Sequence, residues 1–278
     1  FTALPDTPED IYDNKVQLDR ASENIEFFGG NAMLARLFGR TGFETYAFRL
    51  IEHDRATHPT RNRRLVTFGV RLRQAPAQDA LDYEVETALQ RGLARATAAV
   101  TDVRDLRVRA GFVHAEMGWT FGGSWAPRVA ALFDYASGET ANPDTFTRFD
   151  TLYGARRADF GPLSLYGALG RANIVSPGIR FEARPSKRLD LMASVRGAWL
   201  ASAIDSFSAT GVTDRAGRAG RFGGTQFELR GRRWLVPREL RLELGAAWLA
   251  KGRFLHDAPN APRTGDTRFA HADLAFSF

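Results

Sequence analysis

TRFAHADLAFSF, residues 267–278, decides how this chain folds. Every second residue of it is apolar: Ala270, Ala272, Leu274, Phe276 and Phe278. The intervening positions carry His271, Asp273, Ala275 and Ser277. A period of two is the mark of a strand, because successive side chains point to opposite faces of a sheet. The apolar face also grows more aromatic along its length. A last strand of a soluble sandwich accounts for the alternation alone. A strand on the outside of a membrane barrel accounts for the aromatic end as well, as part of an interfacial girdle. Recurrence of the pattern upstream, and the rhythm of the connections, separate the two.

The pattern recurs ten times. Strands are expected near 25–37, with Gly29-Gly30 as a bulge, and at 43–52. At 66–73, Val66, Phe68, Val70 and Leu72 alternate with Thr67, Gly69, Arg71 and Arg73. Others follow at 81–90 and 109–121, the latter with Met117, Trp119 and Phe121 on one side and His114 and Glu116 on the other. Further strands are expected near 129–135, 174–184, 189–199, 226–232 and 240–248. The connections between them alternate short and long throughout. Outer-membrane barrels follow that rule, with short periplasmic turns and longer outer loops; sandwiches do not. The final strand follows a long connection and therefore descends toward the periplasm. This places Trp119, Phe121, Phe276 and Phe278 at the periplasmic rim and Tyr135, Trp199 and Trp248 at the outer rim. The fold class is all-β: a transmembrane, antiparallel, up-and-down β-barrel in one domain, 1–278. Residues 1–22 read as loop. Eleven strands is an odd count, so the expectation is that this is the C-terminal part of a larger barrel; the alternative is a twelfth strand within 10–20.

Composition is compatible with this. No run approaches the roughly 18 consecutive apolar residues of a membrane helix, and a barrel does not need one. The N-terminal FTALPDTPED has neither a basic nor an apolar signal region, so an export signal is expected outside this stretch. There are no cysteines, and the net charge is +6. Nearly all the basic residues are arginine, with lysine only at 15, 187 and 251. Arginine presents a planar fork to carboxylates and phosphates, so an arginine-bearing lumen favours anions. A GC-rich genome would also enrich arginine.

Several segments, in order and spacing, resemble the bacterial alginate export family of outer-membrane porins. They are TFGVRLR at 67–73, LDYEVETALQRG at 81–92, GWTFGGSWAPRVAALFDYASGE at 118–139, TFTRFDTLYG at 145–154, Asn173-Ile174, and GGTQFELR at 223–230. The resemblance implies an eighteen-stranded barrel, of which about eleven strands lie here. It also implies passage of an anionic polysaccharide, such as a uronate polymer, through an electropositive lumen.

The candidate functional residues sit on the non-apolar face. Arg71, Arg73, Arg128, Arg180, Glu86 and Glu243 are expected to line the lumen. Arg196, Arg230, Arg232 and Arg241 are expected to form a cluster on three consecutive strands. Charged rings of this kind set anion selectivity. The long outer loop 137–172 is expected to fold inward, with Arg148, Arg156, Arg157 and Arg171 as a possible constriction and Phe146, Phe149 and Tyr153 as anchors. No catalytic set, metal site or cofactor motif is expected. GRAGRFGG at 217–224 leads into a strand and not a helix, which does not suit a phosphate loop. Spread over many strands, the arginines do not form a nucleic-acid patch. The expected partners are outer-membrane lipid, an anionic saccharide and periplasmic export components. A general or small-anion porin on the same wall is one alternative, and a barrel enzyme or surface-interaction barrel acting through its loops is another.

Overall fold

A computed structural model describes residues 24–55, 59–154, 160–161 and 167–277. The expectations on 1–22, Arg156, Arg157 and Phe278 lie outside those residues. Eleven strands form one continuous antiparallel path in chain order. They are β1 (Ile25–Phe38), β2 (Thr41–Glu52), β3 (Arg64–Gln74), β4 (Ala80–Ala94), β5 (Leu106–Thr120), β6 (Arg128–Ala136), β8 (Ile174–Ser186), β9 (Leu189–Trp199), β10 (Phe222–Val236), β11 (Leu240–Lys251) and β12 (Thr267–Phe276). Off this path, β7 (Thr145–Phe146) lies parallel to the start of β5, and α1 (Arg253–Asp257) is a single turn of helix in the last long loop. Among the described residues the sheet is not closed, and β1 and β12 each pair on one side only.

The cross-strand register fixes which residues share a face. Arg128 opposes Glu182, Arg232 opposes Glu243, and Glu243 opposes Asp273. On the other face Val66, Phe68, Leu89, Met117, Leu244 and Leu274 are exposed. Strand irregularities fall only at the strand ends, between Leu34 and Phe38, Ala183 and Ser186, Phe222 and Gly224, and Trp234 and Val236. A one-residue slip in mid-strand would move charged side chains into the apolar band. The bulge expected at Gly29-Gly30 is therefore absent: Gly29 pairs with Phe48 and Gly30 with Ala47 in unbroken register. Glycine at 29 serves a close approach instead, because a Cβ there would lie 2.3 Å from the Ala47 carbonyl oxygen.

The long connections gather at one end of the wall and the short ones at the other. At the long-loop end the inward face is apolar, carrying Leu50, Leu65, Ala88, Phe112, Ile174 and Leu249. These pack against Phe149, Phe160, Phe207 and Phe254 from the loops, and this is where the buried core sits. The described parts of the loop 137–173 meet strands on both sides of the sheet's concavity. Tyr153 meets Phe27 of β1 with ring centroids 5.0 Å apart. Gln90 of β4 donates to the Asp150 carbonyl at 3.1 Å and accepts from its N–H at 3.2 Å. Gln226 of β10 donates to the Phe160 carbonyl at 2.6 Å. Eight strand spacings separate β1 from β10, about 38 Å if the sheet were flat. One loop touches both because the sheet curves around it. Of the expected anchors, Phe149 is buried against Phe112 and Tyr153 rests on Phe27.

Two glycines test this packing. A Cβ at Gly69 would stand 2.1 Å from Cζ of Tyr46, whose hydroxyl donates to Glu86 at 2.6 Å. At Gly30 a Cβ would meet nothing within 4 Å. Gly69→Val is expected to cost about 1–3 kcal/mol of barrel stability, as overpacking does, whereas Gly30→Ala stays within about 0.5 kcal/mol. Urea midpoints of the refolded protein check both.

Candidate functional site

Below the apolar plug the inward face turns charged, with the acids of β4 and β5 lying between the arginines of β3 and those of β6 and β8. Arg128 of β6 is its hub. Its guanidinium donates to Asp82 on β4, to Glu116 on β5 at 2.6 Å and to Glu182 on β8 at 2.5 Å. Arg180 also reaches Glu116 and lies 3.5 Å from Glu182. Toward β3, Arg71 donates to Glu84 at 2.6 Å and lies 3.7 Å from Glu44, while Arg73 stands 3.4 Å from Glu84. Glu86 is held by the Tyr46 hydroxyl. Arg71, Arg73, Arg128 and Arg180 thus stand on the charged face where the sequence put them, but committed to carboxylates.

The cluster expected of Arg196, Arg230, Arg232 and Arg241 divides. Arg230, Arg232 and Arg241 come together around one cavity of about 400 Å³ near the short-turn end, which Arg128, Glu182 and Trp234 also line. Arg196 does not join them. It opposes Gln226, four residues along β10 from Arg230 and so about 13 Å away. There it is 5% exposed, donates to Asp134 at 3.0 Å and stacks over Phe160 at 5.0 Å. Arg232 bonds Glu243, whose other oxygen lies 3.3 Å from His271 Nε2. Among the described residues neither Arg230 nor Arg241 has a carboxylate within ion-pair distance, and Arg241 leans over Trp234 at 5.7 Å. On the charged face, Arg230 and Arg241 thus share one sector with no ion pair among the described residues, beside the Arg232–Glu243 pair.

The loop arginines are engaged as well. Arg148 donates to Asp205 at 2.6 Å and to the Ser206 carbonyl at 3.0 Å, tying the 137–173 loop to the 200–221 loop. Asn173 reinforces that tie by donating to the Ser202 and Ser206 carbonyls. Arg171 lies over the Phe112 ring at 4.5 Å and 3.9 Å from Asp134.

Two further features depend on register and escape sequence reading. His114 Nδ1 lies 2.7 Å from Asp134 Oδ1, so this histidine pairs with the next strand and not with Glu116. Glu243, His271 and Asp273 converge closely enough to offer three ligand atoms to a cation. His271 occupies the room left by Gly245 across the ladder, where a Cβ would lie 2.1 Å from Cε1 of the imidazole. The alternating polar residues of β11 and β12 carried that signal, once their pairing was known.

Compared with known protein families, the chain matches the one described as alginate export over residues 10–271. No curated protein matches it.

The contrast between committed and free arginines is measurable. Arg128→Met leaves buried Asp82 without its cation and Glu116 with Arg180 alone, and is expected to destabilise by about 3–5 kcal/mol, whereas Arg230→Met shifts stability by about 0.5 kcal/mol or less. Denaturant titration of each variant distinguishes them.

The loops carry a pH dependence of definite sign. The backbone N–H of Lys251, followed by the Trp248 indole, holds the Asp266 carboxyl below its usual range; the backbone N–H of Thr60, followed by Arg95, does the same for Asp54. A depressed carboxyl stabilises the fold above its unfolded pKa of about 3.9 and loses that contribution as pH falls through the lower folded value. The Lys251 and Thr60 amides are therefore expected to exchange hydrogen faster, relative to β-strand amides, once the pH drops below about 4.

Proposed function

The chain belongs to the alginate export family, and from that membership we propose that it is a passive outer-membrane channel for an anionic, uronate-type polysaccharide. The observation that carries the reading is the sector formed by Arg230, Arg232 and Arg241, where two guanidinium groups have no carboxylate partner among the described residues. A polymer carboxylate approaching that sector can accept a bidentate hydrogen bond without displacing an internal ion pair. Around the rest of the charged face the acids neutralise the arginines, so the polymer meets repeated weak contacts and not one deep trap. Conduction demands that compromise, because a carboxylate bound too tightly would not leave.

Arg71, Arg73, Arg128, Arg180, Glu86 and Glu243 serve in this reading as the structured, wet wall that keeps the passage open. Arg196 supports the plug layer through Asp134 and Phe160. The inward loop, with Arg148 and Arg171, narrows the path at its outer end; Arg148 does so by fastening the two longest loops together. Closure of the passage belongs to the same proposal. The ladder groups on the free edges of β1 and β12 would have no water to bond in hydrocarbon, and further strands of the barrel bordering those edges would satisfy them.

Planar-bilayer conductance of the full-length protein tests the reading. The wild-type channel is expected to prefer anions and to be blocked by uronate oligomers. Arg230→Gln/Arg241→Gln, which breaks no ion pair among the described residues, is expected to reduce the reversal potential in a salt gradient and to weaken the block; adding Arg232→Gln reduces it further. Unchanged selectivity in the triple variant would reject this sector as the determinant. Anion conductance indifferent to uronate oligomers would point to a small-anion porin instead.

A further inference from the structure

The outward face is apolar along most of its height, but on β2–β5 it changes abruptly near the long-loop end. Arg49, Arg91 and Arg109 lie in one cross-strand row, with Val66 between the first two. Arg64 and Arg107 lie in the next row toward the loops, with Leu93 between them. All five arginines are exposed. The row immediately below consists of Ala47, Phe68, Leu89 and Gly111, with Phe68 and Leu89 about half exposed. The arginines thus begin where the apolar band stops. On β6, β9 and β11 the outward positions near this rim hold Tyr135, Trp199 and Trp248, so the arginines replace the aromatic girdle on one sector of the wall.

Their partners within the chain are too few. Arg64 bonds Asp105. The other nearby outward acid, Glu26 on β1, lies 3.8 Å from His53. Among the described residues Arg49, Arg91, Arg107 and Arg109 have no ion pair. Arg91 and Arg109 stand directly opposite each other, although like charges facing across a ladder repel. Arg91 lies flat on the strands, donating to the Gln90 carbonyl at 2.9 Å. Such a pair on a membrane face is accounted for when an anion sits between the two guanidinium groups.

We infer that this patch docks the phosphorylated headgroup of the glycolipid forming the outer leaflet of the outer membrane. The inference rests on the outer-membrane placement and on the long loops facing outward, and is independent of what the channel carries. The height is that of a headgroup layer, where an arginine on the lipid face costs little and its stem lies along the apolar surface below. The patch spans three strand spacings, about 14 Å, which matches a headgroup with more than one phosphate better than a single isolated charge. Arginine forks bond phosphate bidentately, and the net positive charge of the patch supplies the long-range attraction.

The test uses folded full-length protein in detergent and native mass spectrometry with three added lipids: bisphosphorylated lipid A, the same lipid A without phosphates, and phosphatidylglycerol. Wild-type protein is expected to retain the bisphosphorylated form most strongly. Each arginine removed in the series Arg109→Gln, Arg91→Gln/Arg109→Gln and Arg49→Gln/Arg91→Gln/Arg109→Gln is expected to weaken retention by about fivefold. A charge-matched variant in the outer loops, Arg215→Gln/Arg253→Gln/Arg263→Gln, is expected to bind as wild type does. Equal retention of phosphorylated and dephosphorylated lipid A by the wild type overturns the inference without any variant. Equal retention of phosphatidylglycerol overturns the glycolipid assignment, and equal loss in the charge-matched variant reduces the patch to bulk charge. Heat-modifiable migration confirms that each variant is folded.

Discussion

Everything in this wall depends on a ladder that does not slip. In hydrocarbon an unpaired backbone N–H or C=O has no water to turn to, so each spanning strand must hydrogen-bond to its neighbours along its length. Because side chains alternate, a shift of one residue would exchange the lipid face for the charged face on an entire strand. The irregularities are accordingly confined to strand ends, where solvent or the loops can satisfy displaced groups. Continuous register holds Arg128 within reach of three acids on three different strands and sets Arg91 against Arg109 on the opposite face.

The charged face follows an energetic logic of its own. Burying a guanidinium is tolerable when several carboxylates surround it, and Arg128 meets that condition. Arg230 and Arg241 do not, and they lie where the face borders an open cavity that solvent or an anion can enter. The long-loop half of the same face is treated differently: apolar residues from the strands and the folded-in loops exclude water, and Gln90 and Gln226 anchor the loop backbone. One inward face thus contains a packed layer and a wet layer, stacked along the strands.

The strands and their two faces were legible from alternation and loop rhythm, because both are local properties of the chain. Trp119 and Leu274 announce an apolar face, and Arg232 and Asp273 a polar one, without knowledge of any neighbour. Whether a charged residue is free or paired was not legible. Arg128 meets Asp82 two strands away, and Arg196 parts from Arg230 because of its height, not its face. Glycine was ambiguous for a related reason: Gly29 reads as a breaker until Phe48 is seen across the ladder. The outward arginines near the rim were hidden by the same limit, since they lie near the ends of four different strands and only the register assembles them into a patch.

The central claim is that successive residues of one strand face water and lipid in turn, and the absence of cysteine from this chain makes it directly measurable. Single substitutions along β11 would be reacted in reconstituted full-length protein with a charged, membrane-impermeant thiol reagent. Arg241→Cys and Glu243→Cys are expected to react from the aqueous side, while Leu242→Cys, Leu244→Cys and Ala246→Cys react only with a lipid-soluble reagent. Labelling that rises and falls with a period of two supports the wall described here. Equal labelling of both sets by the charged reagent would contradict it.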